Sequence, residues 1–189
     1  VTWAEVKGEA TQQDGDLPIP SVRWTADSLE LTTTVFGRGE PDASSLVARY
    51  VIRNPGARAR DVRLHLAIRP FQVNPPSQFL NVPGGAARIR ELERDGRRVR
   101  VNGTRSVTSL VPIDAFGAAT FDEGDAVAML RAGRLPAATR LADPIERATG
   151  VMTFVRRLEP GQSAEVALLV PCRGAPEEDA PPDVALAAR

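Results

Sequence analysis

Between residues 46 and 53 the chain alternates. Leu46, Ala48, Tyr50 and Ile52 fall on one parity, Val47, Arg49, Val51 and Arg53 on the other. A two-residue repeat is the period of a half-buried β-strand. The repeat returns over residues 61–69, with Val62, Leu64, Leu66 and Ile68 on one face and Arg63, His65, Ala67 and Arg69 on the other. Asn54, Pro55 and Gly56 between them carry strong turn chemistry, so the two segments predict an antiparallel hairpin with one core face and one polar face. Upstream, LELTTTVFG at 29–37 is rich in β-branched and aromatic residues and ends at glycine, which predicts a strand stopped by the turn GRGEPDAS.

Downstream, ARIRELERDGRRVRVNG predicts a hairpin turning at Asp95 and Gly96, and RSVTSLVP a further strand. Residues 122–135, DEGDAVAMLRAGRL, are the best helix candidate: acidic residues open it, and Val127, Leu130 and Leu135 supply a modest apolar stripe. A last pair of strands lies at 150–172, with Pro160 and Gly161 at the turn between them. Successive strands separated by proline and glycine turns predict an all-β, antiparallel β-sandwich over residues 1–172 with one short peripheral helix. Residues 173–182, RGAPEEDAPP, read as a linker, and DVALAAR at 183–189 can cap and begin the helix of a following domain.

Composition narrows the partners. The chain has 189 residues, enough for one domain with a real core, and its formal net charge is +0. A neutral balance argues against nucleic acid or an anionic membrane as a generic partner, because both are met through a basic excess. Lys7 is the only lysine; the arginine skew is the mark of a GC-rich bacterial genome, so no single arginine is strong evidence of a site. No apolar run approaches the roughly 18 residues needed to span a bilayer. The chain opens on Val1 inside a strand-like segment, VTWAEV, and is expected to be a piece of a longer protein, which leaves its compartment open.

Catalytic chemistry has few carriers. There is no GxSxG, and His65 is the only histidine, placed mid-strand on the polar parity, where a structural or surface role is the simpler reading. Cys172 cannot form an intrachain disulfide and follows an apolar strand, so it reads as a small buried or strand-end hydrophobe. One histidine and one cysteine far apart do not make a zinc set, and VPGGAAR lacks the spacing and lysine of a phosphate loop. No cofactor is expected. Glu30, Glu91 and Glu93 lie in strand-like segments, but nothing in their spacing selects two of them as a glycosidase pair.

One stretch stands apart. RPFQVNPPSQFLN, at 69–81, is too irregular for a regular element and collects amides, aromatics and an arginine. Arg69, Gln72, Asn74, Gln78 and Asn81 can hydrogen-bond sugar hydroxyls, and Phe71 and Phe79 can cover the apolar face of a pyranose. With His65 on the strand that leads into it, this set is the candidate ligand or partner surface. The competing reading, which the several large apolar residues favour, is that the phenylalanines plug the sandwich end or dock on a neighbour while the amides serve the loop's own backbone.

Together, LPIPSVRW, LELTTTVFGRGEPDASSLVARYVIRN, VRLHLAIRPFQVNPPSQFLN and GGAARI resemble a β-sandwich region of large bacterial proteins. Those proteins are labelled coagulation factor 5/8 type C (discoidin) domain proteins and also carry a six-hairpin, (α/α)6 glycosidase-like domain. The resemblance implies a sandwich similar to the supersandwich that precedes the helical toroid in maltose- and cellobiose-phosphorylase-type enzymes, whose shape is also that of galactose mutarotases. It implies a non-catalytic module packed on a helical domain of the same polypeptide, with carbohydrate as the ligand class. An independent carbohydrate-binding module is the second reading. A mutarotase-like enzyme using His65 is the third, weakened by the lack of a second histidine to bind the sugar oxygen.

Overall fold

The computed structural model describes residues 6–15, 18–26, 29–40, 42–70, 72–74 and 85–173. Strands dominate them, paired antiparallel, with a single short α-helix, so the all-β sandwich expectation holds. They form two compact units. The first takes in the described parts of Val1–Arg63, Val107–Pro112 and Val155–Arg189, and the second comprises those of Leu64–Ser106 and Ile113–Phe154.

In the first unit, β1 (Lys7–Gln12), β2 (Pro20–Ala26), β3 (Leu29–Glu40) and β4 (Ala43–Arg53) form an antiparallel meander, and β14 (Ser163–Arg173) lies on the far side of β4. Thr108 and Ser109, at the end of β10 (Arg105–Ser109), pair in turn with β14. The burial follows from these positions. β14, flanked on both sides, buries Val166, Ala167, Leu168 and Leu169 in succession, the near-continuous apolar run of a covered central strand. β1, at the edge, is exposed at all its positions and carries Lys7 and Glu9, charges that discourage pairing with another chain.

Two expectations change here. β3 does not stop at Gly37 but runs on to Glu40, so the predicted eight-residue turn shrinks to the two residues between Glu40 and Ala43. Gly39, at φ +98°, makes the tight return possible, since a β-carbon there would collide with the Ala43 carbonyl. The hairpin expected from residues 46–53 and 61–69 does not form either. β4 pairs with β3 and β14, while β5 (Arg60–Ile68) lies beside β13 (Thr149–Leu158) in a separate three-stranded sheet.

Asn54 explains the divergence. It is fully buried, and its side-chain amide donates to the carbonyls of Arg58 (2.8 Å), Leu158 (3.0 Å) and Glu159 (3.4 Å) while its oxygen accepts from Gly56 N (3.1 Å). Its backbone completes the knot: Asn54 N donates to Gln162 O and Gly161 N to Asn54 O. One side chain thus ties the β4–β5 turn to the β13–β14 turn, and at each of them the chain leaves one sheet for the other. For the same reason the last pair of strands is no hairpin: β13 neighbours β11 and β5, and β14 neighbours β4 and β10.

In the second unit, β8 (Glu91–Asp95) and β9 (Arg98–Val101) form the predicted hairpin, and β12 (Arg140–Ala142) adds to the other side of β8. β11 (Ala115–Ala119), which carries no alternation in sequence, pairs with β13. The two layers meet at Gly150 of β13, where an added β-carbon would lie 3.0 Å from Leu92 of β8 and 3.2 Å from the Phe116 ring of β11. Leu92, Val99, Val151 and Phe154 are wholly buried within this unit, and a side chain of Phe154's size gains about 2–3 kcal/mol from that burial.

The helix α1 (Ala126–Arg131) is far shorter than the predicted 122–135. Asp125 caps it, its Oδ1 accepting from Val127 N (3.1 Å), so Asp122 and Glu123 precede the helix instead of opening it. Gly124 (φ +105°) and Gly133 (φ +72°) bracket the segment in conformations no helix continues through. Its buried residue is Ala126, held at the N-terminal end by Ala126 N donating to Thr149 Oγ1 (3.1 Å).

Candidate functional site

Arg69 and His65 are the members of the expected set whose side chains the structure describes. His65 lies exposed on β5, as its parity predicts, and its Nδ1 is 2.9 Å from the Thr153 hydroxyl. Arg69 ends the same face of the chain, and its guanidinium pairs with Asp125 at 3.4 Å. Gln72 and Asn74 fall on β6 (Gln72–Asn74), a short strand paired with β7 (Gly85–Ala86) through an irregular register. The stretch is therefore less irregular than expected at that point. Phe71, Gln78, Phe79 and Asn81 lie outside the described residues. Cys172 is exposed near the end of β14, not buried.

Arg69 borders a cleft of about 440 Å³ in the second unit. Pro70, Phe121, Gly124, Asp125, Arg147 and Thr149 complete its lining. These residues come from three separate segments, and one buried carboxylate organises two of them. Asp143, 1% exposed, accepts from Phe121 N (3.3 Å) and Arg147 N (2.8 Å) through Oδ2 and from Ile145 N (3.1 Å) through Oδ1. A carboxylate receiving three backbone N–H groups fixes the loops that carry them.

Phe121 is thereby held with its side chain largely in solvent, at 57% exposure, although a phenyl ring gains by burial. Arg147 lies partly covered, and its Nη1 is shielded from solvent without an acceptor among the described residues. Beside the cleft, Glu123 turns away: its carboxylate accepts from Thr120 N (2.8 Å) and Thr120 Oγ1 (3.0 Å), and these bonds hold it below the usual carboxylate range. The lining offers an aromatic face, two guanidiniums and one carboxylate.

A second cleft, of about 340 Å³, runs along β8 and β12 and includes Glu91, Glu93, Arg100 and Arg140. Its carboxylates are engaged: Glu93 pairs with Arg140 across the strands at 3.5 Å and Glu91 with Arg90 at 3.9 Å. Glu30, the third carboxylate considered from sequence, pairs with Arg53 at 3.4 Å. Among the described residues no group of three or more His, Cys, Asp or Glu side chains could hold a metal ion.

No protein-family model and no curated protein matches the chain. Among solved structures it is similar to one described as a kojibiose phosphorylase from the human microbiome, with a TM-score of 0.42 and 12% identity. The match covers 88% of this chain and 19% of that one, so the chain spans about a fifth of its neighbour's length.

Proposed function

We propose that the chain is a non-catalytic β-sandwich module of a bacterial multidomain carbohydrate-active protein, of the kind labelled coagulation factor 5/8 type C domain proteins. The module packs on a neighbouring (α/α)6 domain through the 69–81 segment and presents the Arg69 cleft at the rim of that domain's sugar pocket. The carrying observation is the cleft itself: an exposed phenyl ring, fixed through its backbone by buried Asp143, beside two arginines and a carboxylate. Aromatic faces cover the C–H surface of pyranoses, and charged fork-shaped groups bond their hydroxyls.

Three measurements test the reading. Saturation-transfer NMR with maltose and cellobiose should detect weak contact that Phe121→Ala removes; micromolar affinity for the isolated chain would instead favour an independent carbohydrate-binding module. Polarimetry should find no acceleration of glucose anomer exchange, whereas acceleration that His65→Ala abolishes would establish a mutarotase and overturn the proposal. For docking, Gln78→Cys in a Cys172→Ser background should react with a thiol reagent more slowly in the longer polypeptide than in this chain. Equal rates in the two would count against the helical partner.

A further inference from the structure

A β-strand at the end of a sheet leaves a row of backbone N–H and C=O groups without a ladder, and folds blunt such edges by shortening, charging or covering them. Most of the described edges of this chain are blunted. β12 has three residues, β6 three and β7 two. β1 is exposed throughout and carries Lys7 and Glu9, and β11 has five residues, of which Ala118 already bridges Ala138. β5 is the exception. It has nine residues, contains neither lysine nor proline, and stands last in the order β11, β13, β5, so among the described residues no strand lies along its other side.

Its apolar side chains are incompletely covered as well. Leu64 is buried, but Val62, Leu66 and Ile68 on the same parity are only half-buried, and no charge interrupts that parity. The other parity carries opposite charges near its two ends. Asp61 stands beside Arg157 of β13 at 3.6 Å, and Arg69, one residue past the strand, beside Asp125 at 3.4 Å. Both are surface pairs, weak on their own.

The spacing of these groups is self-complementary. When a strand meets its own copy antiparallel about a two-fold axis, residues equally far from the axis stand opposite each other on one face. An axis through His65 sets Asp61 opposite the partner's Arg69, Val62 opposite the partner's Ile68 and Leu64 opposite the partner's Leu66, each pair occurring twice. It also joins Arg157, Asp61, the partner's Arg69 and the partner's Asp125 into one row of alternating charge. Other registers lose this. An axis through Arg63 opposes that arginine to itself, one through Leu66 opposes Arg63 to the partner's Arg69, and one through Leu64 leaves Asp61 facing the partner's Ala67. An axis between two residues would put the apolar parity of one copy on the polar side of the other.

We propose that the β5 edge is a homodimer interface, pairing antiparallel with the β5 edge of a second copy about a two-fold axis at His65. The proposal stands independently of the carbohydrate reading.

Sedimentation velocity on the whole chain, from micromolar to near-millimolar concentration, should show a reversible equilibrium between monomer and dimer. Asp61→Arg and Arg69→Asp should each weaken it about tenfold or more, since each opposes like charges at two places. An equimolar mixture of the two variants should recover the affinity of the native chain, because in the mixed dimer opposite charges face each other again. Damage to the fold of either variant would not be repaired by mixing. The register has its own probe. In a Cys172→Ser background, His65→Cys sets two thiols opposite each other with Cα atoms about 5 Å apart, and mild oxidation should yield a disulfide-linked dimer. Arg63→Cys, whose two copies would lie about 14 Å apart, should stay unlinked.

A chain that remains monomeric throughout that range overturns the proposal and leaves the edge to a strand of another sequence. A dimer that the charge variants do not weaken, that mixing fails to restore, or that links as readily through residue 63 as through residue 65 is built on another surface or register, and overturns it equally.

Discussion

Asn54 does more for this fold than its place in an Asn-Pro-Gly turn suggests. Its amide group donates to three carbonyls and its oxygen accepts a backbone N–H, from a side chain that is itself fully buried. Asn54→Ala would strand those carbonyls and leave a void, and is expected to destabilise the chain by about 3 kcal/mol, measured as a lowered urea midpoint. Asn54→Asp should be at least as damaging, because it points carboxylate oxygens at carbonyl oxygens. An unchanged midpoint for both variants would show that the two turns hold without it. Tyr50, on β4 between Thr33 and Val166, poses a question of pH instead. Burial raises its phenol above the ordinary value of 10.0, so the folded state keeps its proton where the unfolded chain gives it up. The stability that Tyr50 contributes is complete below the unfolded value and is lost as pH climbs from there through the folded one. Urea midpoints at pH 8 and pH 11 should therefore fall further in the native chain than in Tyr50→Phe.

At the scale of elements, alternation reveals faces but not neighbours. β5 has its apolar residues on one parity and its polar ones on the other just as read, with Leu64 buried and Arg63, His65, Ala67 and Arg69 exposed. Its partner could not be read, because the usual neighbour of a strand that follows a short turn is the strand before it, and only the tertiary bonds of Asn54 send the chain to another sheet. β11 escaped notice for a different reason. AFGAA has no two-residue repeat and low strand propensity, and its small residues make sense only once Pro136 is in view: a β-carbon on Gly117 would run into the Pro136 carbonyl. Gly117→Val should cost about 3 kcal/mol or more through this overlap, whereas Gly37→Val on β3, where no atom lies within 4 Å of the added β-carbon, should be neutral or slightly stabilising. Comparable losses in thermal denaturation for the two variants would refute the steric account. The cleft was legible only at Arg69. Phe121 and Asp125 come from one segment and Arg147 and Thr149 from another, and the one local sign of their organiser is the Asp-Pro pair at 143–144, a turn signal that gives no hint of burial.

For the whole molecule, the question is whether its two compact units are also two folding units. Three strands run through the division between them. β5 begins in the first unit and ends in the second, as the boundary between Arg63 and Leu64 requires; β13 crosses between Phe154 and Val155, and β10 between Ser106 and Val107. A strand keeps its ladder only while its neighbours hold it, so opening one unit frays β5, β10 and β13 in the other. Each of those strands carries buried residues on the second unit's side, Leu64, Ser106 and Phe154 among them. Independent unfolding would then expose core on both sides of the division, which makes a single cooperative transition the cheaper course. Native-state hydrogen exchange checks this directly. The amide of Val151, in the ladder with β11, reports on the second unit, and that of Val166, in the ladder with β4, on the first. In low denaturant the two should exchange with the same free energy and the same denaturant slope, and Asn54→Ala, though placed in the first unit, should lower both equally. A smaller slope for Val151, or a loss confined to Val166, would establish the second unit as a separately unfolding body joined to the first only by chain.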